Sequence, residues 1–247
     1  MEPRHLKPGQ GWAWIKQGYA LFIQSPLLWI VLLLACLIAA VVLSSVPTVG
    51  EPLVSLLMPV ILAGLMTGCR ALQQGEELEL AHLFNGFKQH TAQLVTLGGI
   101  ALVGQFLIFG LMILAGGKEL VALLMSSQPD IDQEVLSQAV SGAGISMLLG
   151  IALFFLLMMA MQFAPLLVFF NNATPLQAMQ LSLRAFLNNI GPMLVYGLTF
   201  FFLAILASLP VMLGWLILLP MVFTSLYASY CDIFPDGNLT GSTPQQS

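Results

Sequence analysis

The chain has 247 residues, 58% of them hydrophobic and only 7% charged, with a formal net charge of −4. An ordinary globular domain carries about 25% charged residues, so a water-soluble domain of any size is excluded. The seven lysines and arginines are scattered along the chain, which excludes a nucleic-acid-binding face.

No Asp, Glu, Lys or Arg occurs between Lys16 and Glu51, from Gln89 to Gly117, from Val135 to Leu183, or from Ala185 to Cys231. A helix needs about 20 apolar residues to cross the roughly 30 Å of hydrocarbon in a bilayer. These stretches have room for six. The sequence therefore predicts an all-α, polytopic membrane protein, with one transmembrane domain over residues 1–234 and a disordered tail over 235–247.

Met1 to Gln10 is polar, and Pro3, Pro8 and Gly9 predict irregular backbone there. Trp12 to Ile23 predicts an amphipathic interfacial helix, with Trp12, Trp14 and Tyr19 at headgroup level. Ser25-Pro26 supplies an N-cap and an N1 proline, which opens a first span running to about Val46. The apolar run from Tyr19 is too long for a signal-peptide core. Leu33-Leu34-Ala35-Cys36 mimics a lipoprotein cleavage box, but the run continues apolar past it, so the segment reads as a retained anchor.

A tight turn at Pro47, Gly50 and Pro52 leads to a second span, about Leu53 to Leu72. Residues 75–93 form a polar loop whose apolar positions Leu80, Leu83, Phe84 and Phe87 predict a second amphipathic helix, Leu80–Gln89. The third span is about Gln93 to Ala115. A second polar loop, 118–141, carries Asp130, Asp132 and Glu134, and the fourth span is about Gly144 to Phe170. Thr174-Pro175 opens a third amphipathic helix through Leu187. The fifth span runs from Gly191-Pro192 to about Ser208, Pro210 marks a hairpin, and the sixth runs from about Val211 to Tyr230.

With the N-terminus inside, Arg4, Lys7, Lys16, Arg70, Lys88 and Arg184 are cytoplasmic and only Lys118 is outside. That positive-inside bias predicts both termini in the cytoplasm. A unit also recurs three times, at about 12–72, 76–172 and 174–234: an amphipathic helix, an outgoing span, and a returning span with a proline. Pro59, Pro165 and Pro220 are those prolines, each expected about 15–18 Å from its cytoplasmic helix end. The pattern predicts a pseudo-threefold bundle of three hairpins with kinks at one depth.

Gln105 and Gln162 lie inside spans, where an unpartnered amide is costly. They read first as interhelical hydrogen-bonding groups, and second as the lining of a solute path. Arg70 and Asp232 end two returning spans on one side, where they either pair or stay separate, with Arg184 competing for Asp232. Gly64 and Gly68 form a GxxxG motif that marks a close helix contact, within the bundle or between protomers. Asn171-Asn172, Asn188-Asn189 and Tyr196 read as caps of helix ends. Glu79, His82 and His90 lack zinc-ligand spacing, and the three cysteines, Cys36, Cys69 and Cys231, read as apolar packers. No catalytic triad, phosphate loop or metal cluster is visible in the sequence, so no catalytic, metal or cofactor site is expected.

Gly11-Trp12-Ala13-Trp14 with Gly18-Tyr19-Ala20-Leu21-Phe22, His82-Leu83-Phe84-Asn85-Gly86-Phe87, Pro175 to Ser182 leading to Asn188-Asn189, and Tyr227 to Phe234 together resemble a known pattern. It is that of an uncharacterised family of proteobacterial inner-membrane proteins. That family is similar in layout to the membrane domains fused to some glycerophosphodiester phosphodiesterases. The resemblance implies the inner membrane of a Gram-negative bacterium and no active site. Two functions are expected in order: a non-enzymatic scaffold, partner-binding or lipid-interacting module anchored by Trp12, Trp14, Phe22, Phe84, Phe87 and Phe186, or a small-solute transporter or channel. The expected partners are the lipid bilayer and a membrane protein or second copy.

Overall fold

The computed structural model describes residues 2–125, 134, 137, 143–209 and 212–235. The expectations at Asp130, Asp132 and Pro210, and for the tail beyond Pro235, lie outside the described residues.

Among the described residues every regular element is helical. Six helical segments are long and apolar enough to cross a membrane. Helix α1 (Gln10–Phe22) precedes the hairpin of α2 (Pro26–Ser44) and α3 (Gly50–Gln73). A 3-10 turn (Leu80–Phe84) and the short α4 (Asn85–Lys88) precede α5 (Thr91–Leu114). Helix α6 (Lys118–Met125) begins the second polar loop. The fourth span is divided into α7 (Gly144–Met161) and α8 (Ala164–Asn171). Helix α9 (Pro175–Asn188) precedes α10 (Ile190–Ser208) and α11 (Trp215–Ile233).

Local chemistry accounts for these boundaries. Thr174 and Gln177 form a capping box at the start of α9, with Pro175 inside its first turn. Pro26 likewise stands in the first turn of α2, where Ser25, expected as the N-cap, makes no side-chain cap hydrogen bond. The expected single helix Leu80–Gln89 is instead a 3-10 turn followed by one turn of α-helix. His82 and Glu79 close a capping box at its start. Extended backbone at Gln89 and left-handed backbone at His90 (φ 56°) end it.

The returning spans α3 and α11 form the centre: 44% and 50% of their apolar windows are buried, against 11% for α2. The fully buried large side chains include Trp14, Trp29, Phe163, Tyr227, Tyr230 and Phe234. Where such side chains lie within the bilayer, close packing rather than removal from water stabilises their burial. The outward faces of α2, α5, α7 and α10 remain apolar and uncovered, as a lipid-facing surface requires.

Two sequence expectations change. Trp14 and Phe22, expected as headgroup anchors, are core residues at 0% and 5% exposure. They lie with Gly18 on one stripe of α1 at i, i+4, i+8 spacing, and that stripe faces protein. Trp12, Phe84 and Phe87 do stay exposed. The three prolines do not sit alike in their helices. Pro59 and Pro220 lie inside α3 and α11, but Pro165 is in the first turn of the separate helix α8, close to its end.

Candidate functional site

Each amphipathic element docks on a returning span: α1 on that of the last hairpin, the other two on that of the hairpin before them. In α1, Trp14 meets Asp232 and Gly18 meets Ser225, so α1 runs antiparallel along α11. A Cβ at Gly18 would stand 2.6 Å from the Ser225 backbone, so only glycine permits this approach. Leu78, just before the 3-10 turn, meets Gly68, Leu83 within the turn meets Gly64, and Gly86 in α4 meets Val60, again antiparallel along α3. Gly64 and Gly68 therefore mark a contact within the chain, with the polar-loop segment rather than another span. Thr67 adds a hydrogen bond to the His82 carbonyl at 3.1 Å.

The third dock uses serine. The Phe163 N–H donates to Ser182 Oγ at 3.0 Å, and Ser182 Oγ donates to the Met159 carbonyl at 2.7 Å. Residues 159 and 163 would bond directly in a continuous helix. The inserted hydroxyl, together with Pro165, which has no N–H and whose ring crowds the carbonyl four residues back, divides the fourth span. Farther along α9, Phe186 packs edge-on against Phe155 at 6.0 Å.

The returning spans end together in a polar junction. Tyr227 Oη donates to Gln73 Oε1 at 2.8 Å, and Tyr230 Oη donates to Asn171 Oδ1. The Arg70 guanidinium lies 5.5 Å from the centre of the Phe170 ring, a cation–π arrangement. Trp14 Nε1 donates to Asp232 Oδ2 at 2.9 Å. Among the described residues no ion pair joins Asp232 to Arg70 or to Arg184, which is exposed on α9.

Asn189 does more than end a helix. Its amide accepts from the Leu6 N–H and donates to the Arg4 and Ala185 carbonyls, each at 2.9 Å. The Arg4 N–H in turn donates to the Ile233 carbonyl at 3.0 Å. The N-terminal segment is thus tied to the ends of α9 and α11, which its polar composition did not signal. Asn172, left-handed at φ 54°, ends α8, and Tyr196 Oη bonds Ser225 Oγ at 3.0 Å. His82 Nδ1 accepts from the Glu79 N–H at 2.9 Å, and His90 stacks edge-on to Phe169.

Two cavities stand away from the junction. A half-open cleft of about 400 Å³ lies among α2, α3 and α11. Its walls are apolar side chains with Cys36, among them Leu37, Ala40, Leu62, Leu216 and Pro220. Leu37 and Leu216 are exposed, so the cleft opens on the lipid-facing side. A polar cavity of about 680 Å³ lies at the opposite end from the junction, between the α2–α3 turn and α5, and Gln105 lines it. Gln162 is elsewhere, at the α7–α8 break, with its amide toward Met193 Sδ at 3.9 Å. The two glutamines neither pair nor share this cavity.

Over 91% of its length the chain is 30% identical to a protein of Burkholderia thailandensis named "Probable inner membrane protein BTH_II0599", matching 90% of that relative. The chain belongs to this inner-membrane family. With six helices able to cross a membrane, this family member is an integral, multi-pass inner-membrane protein. The relative's name carries no enzymatic activity. No family model matches the chain, and no solved structure matches it.

Proposed function

We propose that the chain is a non-enzymatic, lipid-interacting module of the bacterial inner membrane, with both termini cytoplasmic. One observation carries this: the apolar cleft among α2, α3 and α11, open toward the acyl chains. Its volume lies within the range of about 300–1,000 Å³ for small-ligand sites. A single acyl chain entering from the side satisfies walls that offer dispersion contact and almost no polar partner. The likeness in layout to membrane domains fused to glycerophosphodiester phosphodiesterases agrees with a lipid-facing role without lending this chain their activity. The units 12–72, 76–172 and 174–234 then act as one cyclic domain, the same docking step supporting each of them.

Photolabelling tests this. A fatty acid bearing a diazirine on its chain is added to the protein in nanodiscs, and labelled peptides are mapped. Labelling concentrated on α2, α3 and α11, and lost in Ala40→Trp, supports the reading. Labelling spread evenly over α5, α7 and α10 overturns it.

A second reading, a small-solute transporter, has the Gln105 cavity in its favour. Gln162 lies outside that cavity, against Met193, which places the acyl-chain reading first.

A further inference from the structure

The polar cavity has a chemistry of its own. Among the described residues its polar lining comes from Ser44, Thr48, Glu51, Ser55 and Gln105, with no Lys, Arg or His. Two of the hydroxyls have their protons committed: Ser44 Oγ donates to the Ala40 carbonyl at 2.8 Å and Thr48 Oγ1 to the Pro47 carbonyl at 2.6 Å. What they offer the cavity is lone pairs. Glu51, a carboxylate, offers only acceptors. Among the described residues neither Glu51 nor the Gln105 amide has a hydrogen-bond partner. An amide within a span without a protein partner is stable only where water or a ligand satisfies it. Phe106 and Phe109 line the same space, and an aromatic ring is a partner a cation can use.

We propose that this cavity binds a small organic ammonium ion. Glu51 takes the charged nitrogen, the hydroxyl lone pairs accept its remaining N–H groups, and Gln105 holds a hydroxyl or amide farther along the ligand. The cavity volume, about 680 Å³, suits such a molecule. The site shares no lining residue with the acyl-chain cleft, so each proposal stands or fails alone.

The test uses the full chain in nanodiscs of zwitterionic lipid and three probes of one skeleton: 5-aminopentanol, 1,5-pentanediol and 5-hydroxypentanoate. Binding is followed by calorimetry. Saturable binding of the amine, weaker for the diol and undetectable for the acid, is expected. Glu51→Gln weakens the amine about tenfold or more, the loss expected for one charge-assisted hydrogen bond. Gln105→Leu weakens amine and diol alike, and Glu79→Gln, at the opposite end, changes neither. No saturable amine binding, equal binding of all three probes, or amine binding unchanged in Glu51→Gln overturns the proposal.

Discussion

The backbone N–H of Phe163 donates to the side chain of Ser182, 3.0 Å away on another helix. That hydroxyl passes the bond on to the Met159 carbonyl, so one serine both breaks the fourth span and satisfies the groups it breaks. Removing the hydroxyl leaves a buried donor and acceptor facing a void. Ser182→Ala is expected to destabilise the protein by about 1–3 kcal/mol, measured by unfolding in mixed micelles. An unchanged stability refutes the bridging role.

Glycine at the docks is a matter of space. A Cβ would lie 2.6 Å from Ser225 at Gly18 and 2.2 Å from the Leu83 carbonyl at Gly64. Gly18→Val and Gly64→Val force backbone apart, and each is expected to cost about 1–3 kcal/mol or more. Gly197, which has nothing within 4 Å of its Cβ position, tolerates alanine. Equal thermal stability of all three variants refutes the close approach.

Asp232 is spoken for by Trp14 and Arg70 by Phe170. Exchanging the charges, Arg70→Asp with Asp232→Arg, is therefore expected not to recover the stability that each single reversal loses. Trp14→Phe deletes the indole N–H and shrinks a fully buried ring, with an expected loss of about 1.5–3 kcal/mol for the bond to a charged group and a further loss for the cavity. A double-mutant cycle with Asp232→Asn isolates that bond. Full rescue by the exchanged pair would reinstate the ion pair.

Orientation has its own test. In a cysteine-free background, Glu51→Cys is expected to react with a membrane-impermeant maleimide added outside the inner membrane of spheroplasts. Glu79→Cys is expected to react only after the membrane is opened. The reverse pattern inverts the topology derived from Arg4, Lys7, Lys16, Arg70, Lys88 and Arg184.

The spans were legible because hydrocarbon imposes a length and forbids charge, and both are visible in a string of residues. The helix starts at Pro26 and Thr174 were legible because they are local, although Ser25 makes no side-chain cap bond. The docks were not. Gly64 and Gly68 announced a close contact without naming the partner, since 3-10 turns and spans present similar surfaces to a glycine. In sequence Trp14 reads as a headgroup anchor, because tryptophan serves both the interface and the core. The stripe of Trp14, Gly18 and Phe22 was the available signal that it is buried. Ser182 carried no signal, because a bridging hydroxyl and an idle one look alike in sequence. For Gln105 and Gln162 the cost of burial was readable, but their different neighbours depend on tertiary structure.

The contact of α1 with α11 sets an order of events during synthesis. Helix α1 emerges well before the surface it docks on, around Ser225 and Asp232. Until then Trp14 and Phe22 have no protein to cover them, and the helix must wait at the membrane surface with its sticky stripe in the lipid headgroups. The helical bundle is therefore latched only once α11 has been made.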